Sequence, residues 1–158
     1  MTEIDIRLTR YGSRVATTLT TAAVAELAER YGGDGDSTPI EPGEFDPPEG
    51  GFLVAYVAGA PAGCVGWRTL TEDEQFDTAE LKRMYVAPEH RGLGIAKALL
   101  VAVEDDARRA GRKRMWLETG TAQPEAIGLY ERTGYARIED FGHYKGYPDV
   151  RSFGKDLL

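Results

Sequence analysis

The residues His90-Arg91-Gly92-Leu93-Gly94-Ile95-Ala96 combine small residues, a cation and a helix start in the way a phosphate site requires. They follow the apolar run Met84-Tyr85-Val86-Ala87-Pro88 and lead into Lys97-Ala98-Leu99-Leu100, so a strand enters a tight loop and the loop opens a helix. The first amides of a helix lack intrahelical acceptors, and the aligned peptide dipoles add partial positive charge there. Together they make an anion site. Gly92 and Gly94 present no side chain to a phosphate, and Ala96 is small as well. The spacing is Arg-x-x-Gly-x-Ala. It is not the dinucleotide fingerprint, because Lys97 stands where the third glycine belongs, nor a Walker loop, because no Gly-Lys-Ser/Thr follows. A glycine-rich helix start that holds nothing is the plainer alternative.

Other chemistry-bearing residues are sparse. Cys64 is the only cysteine, which rules out an internal disulfide and reads as a small buried residue in a strand. His90 and His143 lie far apart in sequence, so no metal site is expected. A net charge of −7 disfavours nucleic-acid binding, which needs a basic surface. No apolar run approaches the ~18 residues of a membrane span. The start Met1-Thr2-Glu3-Ile4 has no leader pattern, and a cytoplasmic location is the expectation.

The elements that position these residues follow from periodicity. With 158 residues, 42% of them hydrophobic, one domain over 1–158 is expected. Ile4, Ile6 and Leu8 alternate as a first strand, and Leu19 to Tyr31 repeats at helical spacing. Residues Gly33 to Gly51 hold four prolines, five glycines and six acids with no lysine or arginine, and read as a mobile loop with at most one helical turn. Phe52 to Val57 and Ala62 to Leu70 form a hairpin, and Ala79 to Ala87 is the next strand. A long helix runs from Arg91 to Ala110. Met115 to Glu118 is a strand and Pro124 to Arg132 a helix. Arg137 to Ile138 and Val150 to Lys155 close the chain. The order predicts an α/β (α+β) fold with a mixed sheet and a right-handed crossover through the long helix.

Glu80-Leu81-Lys82-Arg83-Met84-Tyr85-Val86 through Arg91-Gly92-Leu93-Gly94-Ile95-Ala96 resembles the acetyl-CoA-binding motif of the GNAT N-acetyltransferase superfamily. Gln123-Pro124-Glu125-Ala126-Ile127-Gly128-Leu129-Tyr130-Glu131-Arg132-Thr133-Gly134-Tyr135 resembles that family's second motif. The resemblance covers about residues 79 to 137. It implies a mostly antiparallel sheet whose central strands splay, flanked by helices, and an enzyme that moves acetyl from acetyl-CoA to an amine by direct attack in a ternary complex. Pantetheine would bond the backbone near Met84 and Val86, and the amides from Arg91 to Ala96 would hold the pyrophosphate. An amide near Tyr85 or Val86 would donate to the thioester carbonyl. Lys97 and Arg132 either reach the ribose phosphate or are solvated charges.

Tyr130 matches the family's tyrosine beside the cofactor sulfur, where a phenol would protonate the leaving thiolate. Glu80 is the first candidate for general base and Glu118 the second, each weighed against an ion pair with Lys82 or Arg83. His143 in the late loop is a weaker candidate, weighed against a surface histidine, and His90 beside the phosphate loop either helps hold an anion or faces water. In this fold, residues 33 to 51 and 141 to 149 border the acceptor, and the acids of the first stretch suggest a cationic small amine. Family members are often homodimers, but no interface is legible. A non-catalytic acyl-CoA-sensing module on the same fold is the rival reading. A nucleotide hydrolase would need a lysine and hydroxyl that this loop lacks.

Overall fold

A computed structural model describes residues 3–158. Met1 and Thr2, the first residues of the expected leaderless start, lie outside them. The chain runs β1 (Ile4–Leu8), α1 (Arg14–Tyr31), β2 (Gly50–Val57), β3 (Ala60–Thr69), β4 (Thr78–Val86), α2 (Ile95–Arg109), β5 (Arg114–Gly120), α3 (Pro124–Arg132), β6 (Ala136–Arg137) and β7 (Val150–Asp156). α1 starts before the predicted Leu19 because Ser13 caps it, its Oγ accepting from the Ala16 amide at 3.3 Å. Conversely, α2 starts after the predicted Arg91. Gly94 is its N-cap in the left-handed region, which leaves Arg91 to Leu93 as loop.

The strands form one sheet in the order β1-β2-β3-β4-β5-β7-β6. Only β4 and β5 run parallel, joined by the α2 crossover, so the sheet is mixed and mostly antiparallel, as expected. On one face, Leu99, Leu100, Val103 and Ala107 of α2 pack with Val65, Trp67, Leu81, Met115, Leu117 and Phe153 of the sheet. On the other, Ala16 and Leu19 of α1 pack with Phe45, Phe52, Val54 and Cys64.

The segment expected to be a mobile loop packs instead. Pro42–Phe45 forms a 3-10 turn that buries Phe45 between Tyr11, at 4.7 Å ring to ring, and Phe52, at 5.9 Å. Gly66 makes room for this: a Cβ there would lie 2.8 Å from both the Phe45 and Phe52 rings. Composition hides such an anchor, because one aromatic side chain outweighs many loop-forming neighbours once it finds a sheet to cover.

The feature that shapes the site is a bulge in β4. Cys64 pairs with Tyr85 and Gly66 with Lys82, so Arg83 and Met84 together face Val65. Arg83 has φ +60°, a left-handed conformation uncommon for a residue other than glycine. Just before it, β4 and β5 separate. Their parallel pairing covers only Thr78 with Arg114, Ala79 with Met115 and Glu80 with Trp116, although β4 continues to Val86 and β5 to Gly120.

Leu99 is 0% exposed beneath this junction. Leu99→Ala is expected to lower stability by about 2–5 kcal/mol, read as a lower denaturant midpoint at unchanged slope.

Candidate active site

The loop between β4 and α2 carries a run of free amides. The first bond of α2 runs from the Ala98 amide to the Gly94 carbonyl. Among the described residues, the amides of Gly92, Leu93, Gly94, Ile95, Ala96 and Lys97 have no hydrogen-bond partner. Gly92 (φ +83°) and Gly94 (φ +81°) adopt conformations that L side chains rarely take, and open space surrounds the position of each missing Cβ. Ile95 turns its side chain into the core, whereas Leu93 is exposed and contributes backbone only.

This loop closes one end of a cleft of about 880 Å³ that runs between the diverging parts of β4 and β5. Met84, Tyr85, Val86, Arg91, Gly92, Gly94, Ile95, Ala96 and Tyr130 all line it, so the structure brings together most of the residues expected to hold a cofactor. Lys97, Arg132 and His90 line it as well. Arg91 bridges two walls: its Nε donates to the Val86 carbonyl at 3.0 Å and its Nη2 meets Glu26 of α1 at 2.5 Å. Glu26 also pairs with Arg30 at 2.9 Å, and Arg30 reaches Glu125 of α3 and the Ala122 carbonyl.

Tyr130 is 4% exposed, sits among Tyr135 and Phe153, and still lines the cleft. Its hydroxyl has no hydrogen-bond partner among the described residues. Burial raises its pKa far above the usual phenol value, so the hydroxyl keeps its proton throughout the neutral range.

The two carboxylates weighed as base occupy different settings. Glu80 is buried and accepts from Arg68 Nε at 3.0 Å; Arg68 also meets Glu44 at 3.2 Å and the Pro39 carbonyl at 2.9 Å. Glu80 therefore has an ion-pair partner that is neither Lys82 nor Arg83, and it does not line the cleft. A role as base from there would run through water. Glu118 does line the cleft. Its Oε2 accepts from the Tyr144 amide at 3.0 Å, while its Oε1 is buried without a partner. Burial raises the Glu118 pKa, opposed by the Tyr144 amide and by Lys82. His143 meets Ser37 Oγ at 3.2 Å and ties the late loop to the early one, away from the cleft lining. Burial pushes the Cys64 thiol up to about 12, and it donates to the Arg83 carbonyl at 3.3 Å, so it is no nucleophile.

Sequence reasoning missed the cluster at the far end of the cleft. Lys82 and Arg83 are neighbours on a strand, where strict alternation would send them to opposite faces. Both nevertheless pair with Asp36: Lys82 Nζ at 3.3 Å, and Arg83 through Nη1. The bulge re-aims Arg83. Asp36 accepts further from the Thr38 amide at 3.0 Å and from Tyr144 Oη at 2.9 Å. Burial alone would raise the Asp36 carboxyl, but Lys82, Arg83 and the Thr38 donors hold it well below the usual range. The acids expected to attract a cation are thus partly spent: Asp36 on β4 and Glu44 on Arg68. Two adjacent cations inside an apolar strand were the one available signal.

Known proteins share both the sequence pattern and the fold. The model of the acetyltransferase (GNAT) family matches residues 21–135. The chain is 41% identical over 93 residues to an IAA acetyltransferase of Azospirillum brasilense, a match covering 59% of each protein. It is 38% identical over 95 residues to the uncharacterized N-acetyltransferase YjgM of Escherichia coli (strain K12), covering 60% of this chain and 56% of that one. The matches therefore span less than two thirds of these relatives. A candidate acyl-CoA N-acyltransferase from Klebsiella pneumoniae superposes with a TM-score of 0.81 at 28% identity over 98% of both chains. A GNAT family acetyltransferase from Elizabethkingia anophelis, solved with acetyl-CoA bound, shares the fold with a TM-score of 0.68 at 20% identity, over 97% of both chains.

Asp36→Asn leaves Lys82 and Arg83 buried beside an uncharged amide, and an expected loss of about 3–5 kcal/mol at pH 7 is measurable by urea unfolding. Because the folded-state pKa of Asp36 is lowered, the stability it contributes is complete above about pH 4 and erodes as pH falls from there toward the lowered value. The gap between wild type and Asp36→Asn is expected to narrow in that acid window.

Proposed function

The chain belongs to the acetyltransferase (GNAT) family, and on that footing we propose that it transfers acetyl from acetyl-CoA to a primary amine of a small molecule. The reading is carried by the run of unpartnered amides from Gly92 to Lys97 at the mouth of a cleft that opens between two parallel strands. The residues present fit the cosubstrate. Two phosphates need several N–H donors and no side chain in the way, which Gly92 and Gly94 supply. A pantetheine arm needs an extended backbone edge, and β4 past Glu80 has no pairing to β5. The acetyl-CoA in the Elizabethkingia neighbour supports the same fit.

Bound there, acetyl-CoA would supply an activated acetyl thioester. Attack by the amine forms a C–N bond as the C–S bond breaks; the amine must shed a proton and the departing sulfur must gain one. Tyr130 Oη–H is the donor to sulfur: burial keeps it protonated throughout the neutral range, and its unpartnered hydroxyl is free to hydrogen-bond the sulfur as negative charge develops there. Glu118 takes the amine proton, directly or through water. Its raised pKa improves it as a base while the Tyr144 amide keeps the carboxylate oriented. An amide of the bulged strand, at Tyr85 or Val86, stabilises the charge developing on the carbonyl oxygen. Residues 1–158 are read as one domain, since one sheet spans β1 to β7.

Calorimetry with acetyl-CoA is expected to show binding that Gly94→Val weakens at least tenfold, since a branched side chain at φ +81° strains the loop and obstructs the anion. Absence of any binding to the folded wild-type protein would end the proposal. Tyr130→Phe removes only an unpartnered hydroxyl. It is expected to lower kcat by about 100-fold or more with the Tm nearly unchanged, and wild-type kcat in that variant would remove the acid role. Binding without turnover on a broad amine panel would favour the sensing module instead.

A further inference from the structure

We propose that the acceptor is an amino acid or a close amino-carboxylate, its carboxylate docked on Arg83 and its amine lying against Glu118. The inference rests on the acetyltransferase reading and names the substrate class for that site.

Three buried polar atoms of the cleft lining lack partners: Arg83 Nε, Glu118 Oε1 and Thr119 Oγ1; the hydroxyl can donate or accept, whereas the two charged groups have opposite needs. The first is the Arg83 Nε–H. The Arg83 side chain is 8% exposed and lines the cleft, yet only its Nη1 is engaged, by Asp36. Nη2 has no hydrogen-bond partner among the described residues either. Nε and Nη2 form one edge of the planar guanidinium, the edge that takes a carboxylate through two parallel hydrogen bonds. The second is Glu118 Oε1, an acceptor with no donor. A buried donor or acceptor left unmade is costly, so both atoms mark where a ligand group is missing.

The charges around them select the ligand further. Lys82 is already committed to Asp36 at 3.3 Å and to Thr38 Oγ1 at 3.1 Å. Asp36 thus serves two cations with one negative charge and Glu118 brings the second carboxylate to this end, so a ligand carrying both a carboxylate and an ammonium leaves the local charge balance unchanged. The other carboxylates lining the cleft, Glu26 and Glu125, stand at the opposite end on Arg30. The cosubstrate diphosphate has its own amides in the loop from Gly92 to Lys97. A simple amine would satisfy Glu118 and leave Arg83 unmatched. A plain organic acid would do the reverse and offer no nucleophile. A molecule carrying both groups satisfies both atoms.

Backbone geometry makes Arg83 a fixed docking point. The bulge holds it at φ +60°, and its carbonyl accepts from Cys64 Sγ at 3.3 Å. Residues kept in such conformations persist where the surroundings over-determine them.

The test uses the purified chain with acetyl-CoA and matched acceptor sets: each amino acid, its carboxamide and its decarboxylated amine, for example phenylalanine, phenylalaninamide and phenethylamine. Thiol release gives kcat and KM, and calorimetry on the protein loaded with coenzyme A gives acceptor binding. At least one amino acid is expected to exceed both of its matched amines by tenfold or more in kcat/KM and to bind in calorimetry. Arg83→Lys keeps the charge but not the planar edge, and Arg83→Gln keeps neither. Both are expected to raise KM for the amino acid at least tenfold with a smaller change in kcat, unchanged acetyl-CoA binding, and loss of the preference over the carboxamide. Equal or better turnover of the carboxamides or decarboxylated amines overturns the proposal. So does the absence of both turnover and calorimetric binding for every amino acid when acetyl-CoA does bind. Folded Arg83 variants that retain the preference also overturn it; if they do not fold, the wild-type comparison decides alone. Failure of acetyl-CoA itself to bind sinks the acetyltransferase reading, a separate result.

Discussion

Where β4 passes Val65, two of its residues stand against one, and the strand cannot keep its pairing on both sides. On the β3 side the ladder resumes at Tyr85. On the β5 side the pairing has ended at Glu80 and does not resume past the bulge. Three properties of the site follow from that one irregularity. The backbone edge from Leu81 to Val86 is released from β5 and can face a ligand. A cleft opens between strands that would otherwise be sealed by hydrogen bonds. Arg83 turns to the same side as Lys82, so the floor of the cleft gains two cations where a regular strand would place one.

The parts that the bulge separates must then be held at a working distance, and charged side chains do this across the gap. Glu26 on α1 meets both Arg30 and Arg91, and Arg30 continues to Glu125 on α3. At the other end Asp36 draws the segment after α1 onto β4, and Tyr144 joins that segment to the late loop through Asp36 and the Ser37 amide. The pairs at the Glu26 end are partly solvated and contribute little apiece to stability. Their value is positional. The Asp36 cluster is buried, so its geometry is tightly specified, and loss of one partner leaves the other charges without compensation.

How much was legible in the sequence divides along the same line. The strand–loop–helix unit around Gly92 and Gly94 was legible because its signals are local: apolar periodicity on either side and small residues where the chain turns. The element order was legible for the same reason, with boundaries shifted where a cap decided them, as at Ser13 and Gly94. The partner of Glu80 was not. Arg68 lies on the neighbouring strand, directly across from it, and only strand register reveals the pair. Nor was the buried role of Phe45, whose ring partners Tyr11 and Phe52 come from other elements. The bulge was hidden because it depends on how β3 and β4 align; the sequence showed only its residue, two cations in succession where a buried strand should have had an apolar side chain.

The same reasoning explains why net charge was a poor guide to the acceptor. A total of −7, with six acids gathered between Gly33 and Gly51, describes a field averaged over the surface. Exposed charges are screened over about 8–10 Å at ordinary ionic strength. What a ligand meets inside the cleft is set by the few groups that line it, and there the acids are balanced: Asp36 by Lys82 and Arg83. Once paired charges are removed from consideration, the remaining demands are specific atoms, a guanidinium edge on β4 and a carboxylate oxygen on β5. They are held on the two strands that the bulge drives apart. Separation of the strands therefore does more than admit a cofactor: it also determines which hydrogen-bonding atoms stay unmatched in the space between them.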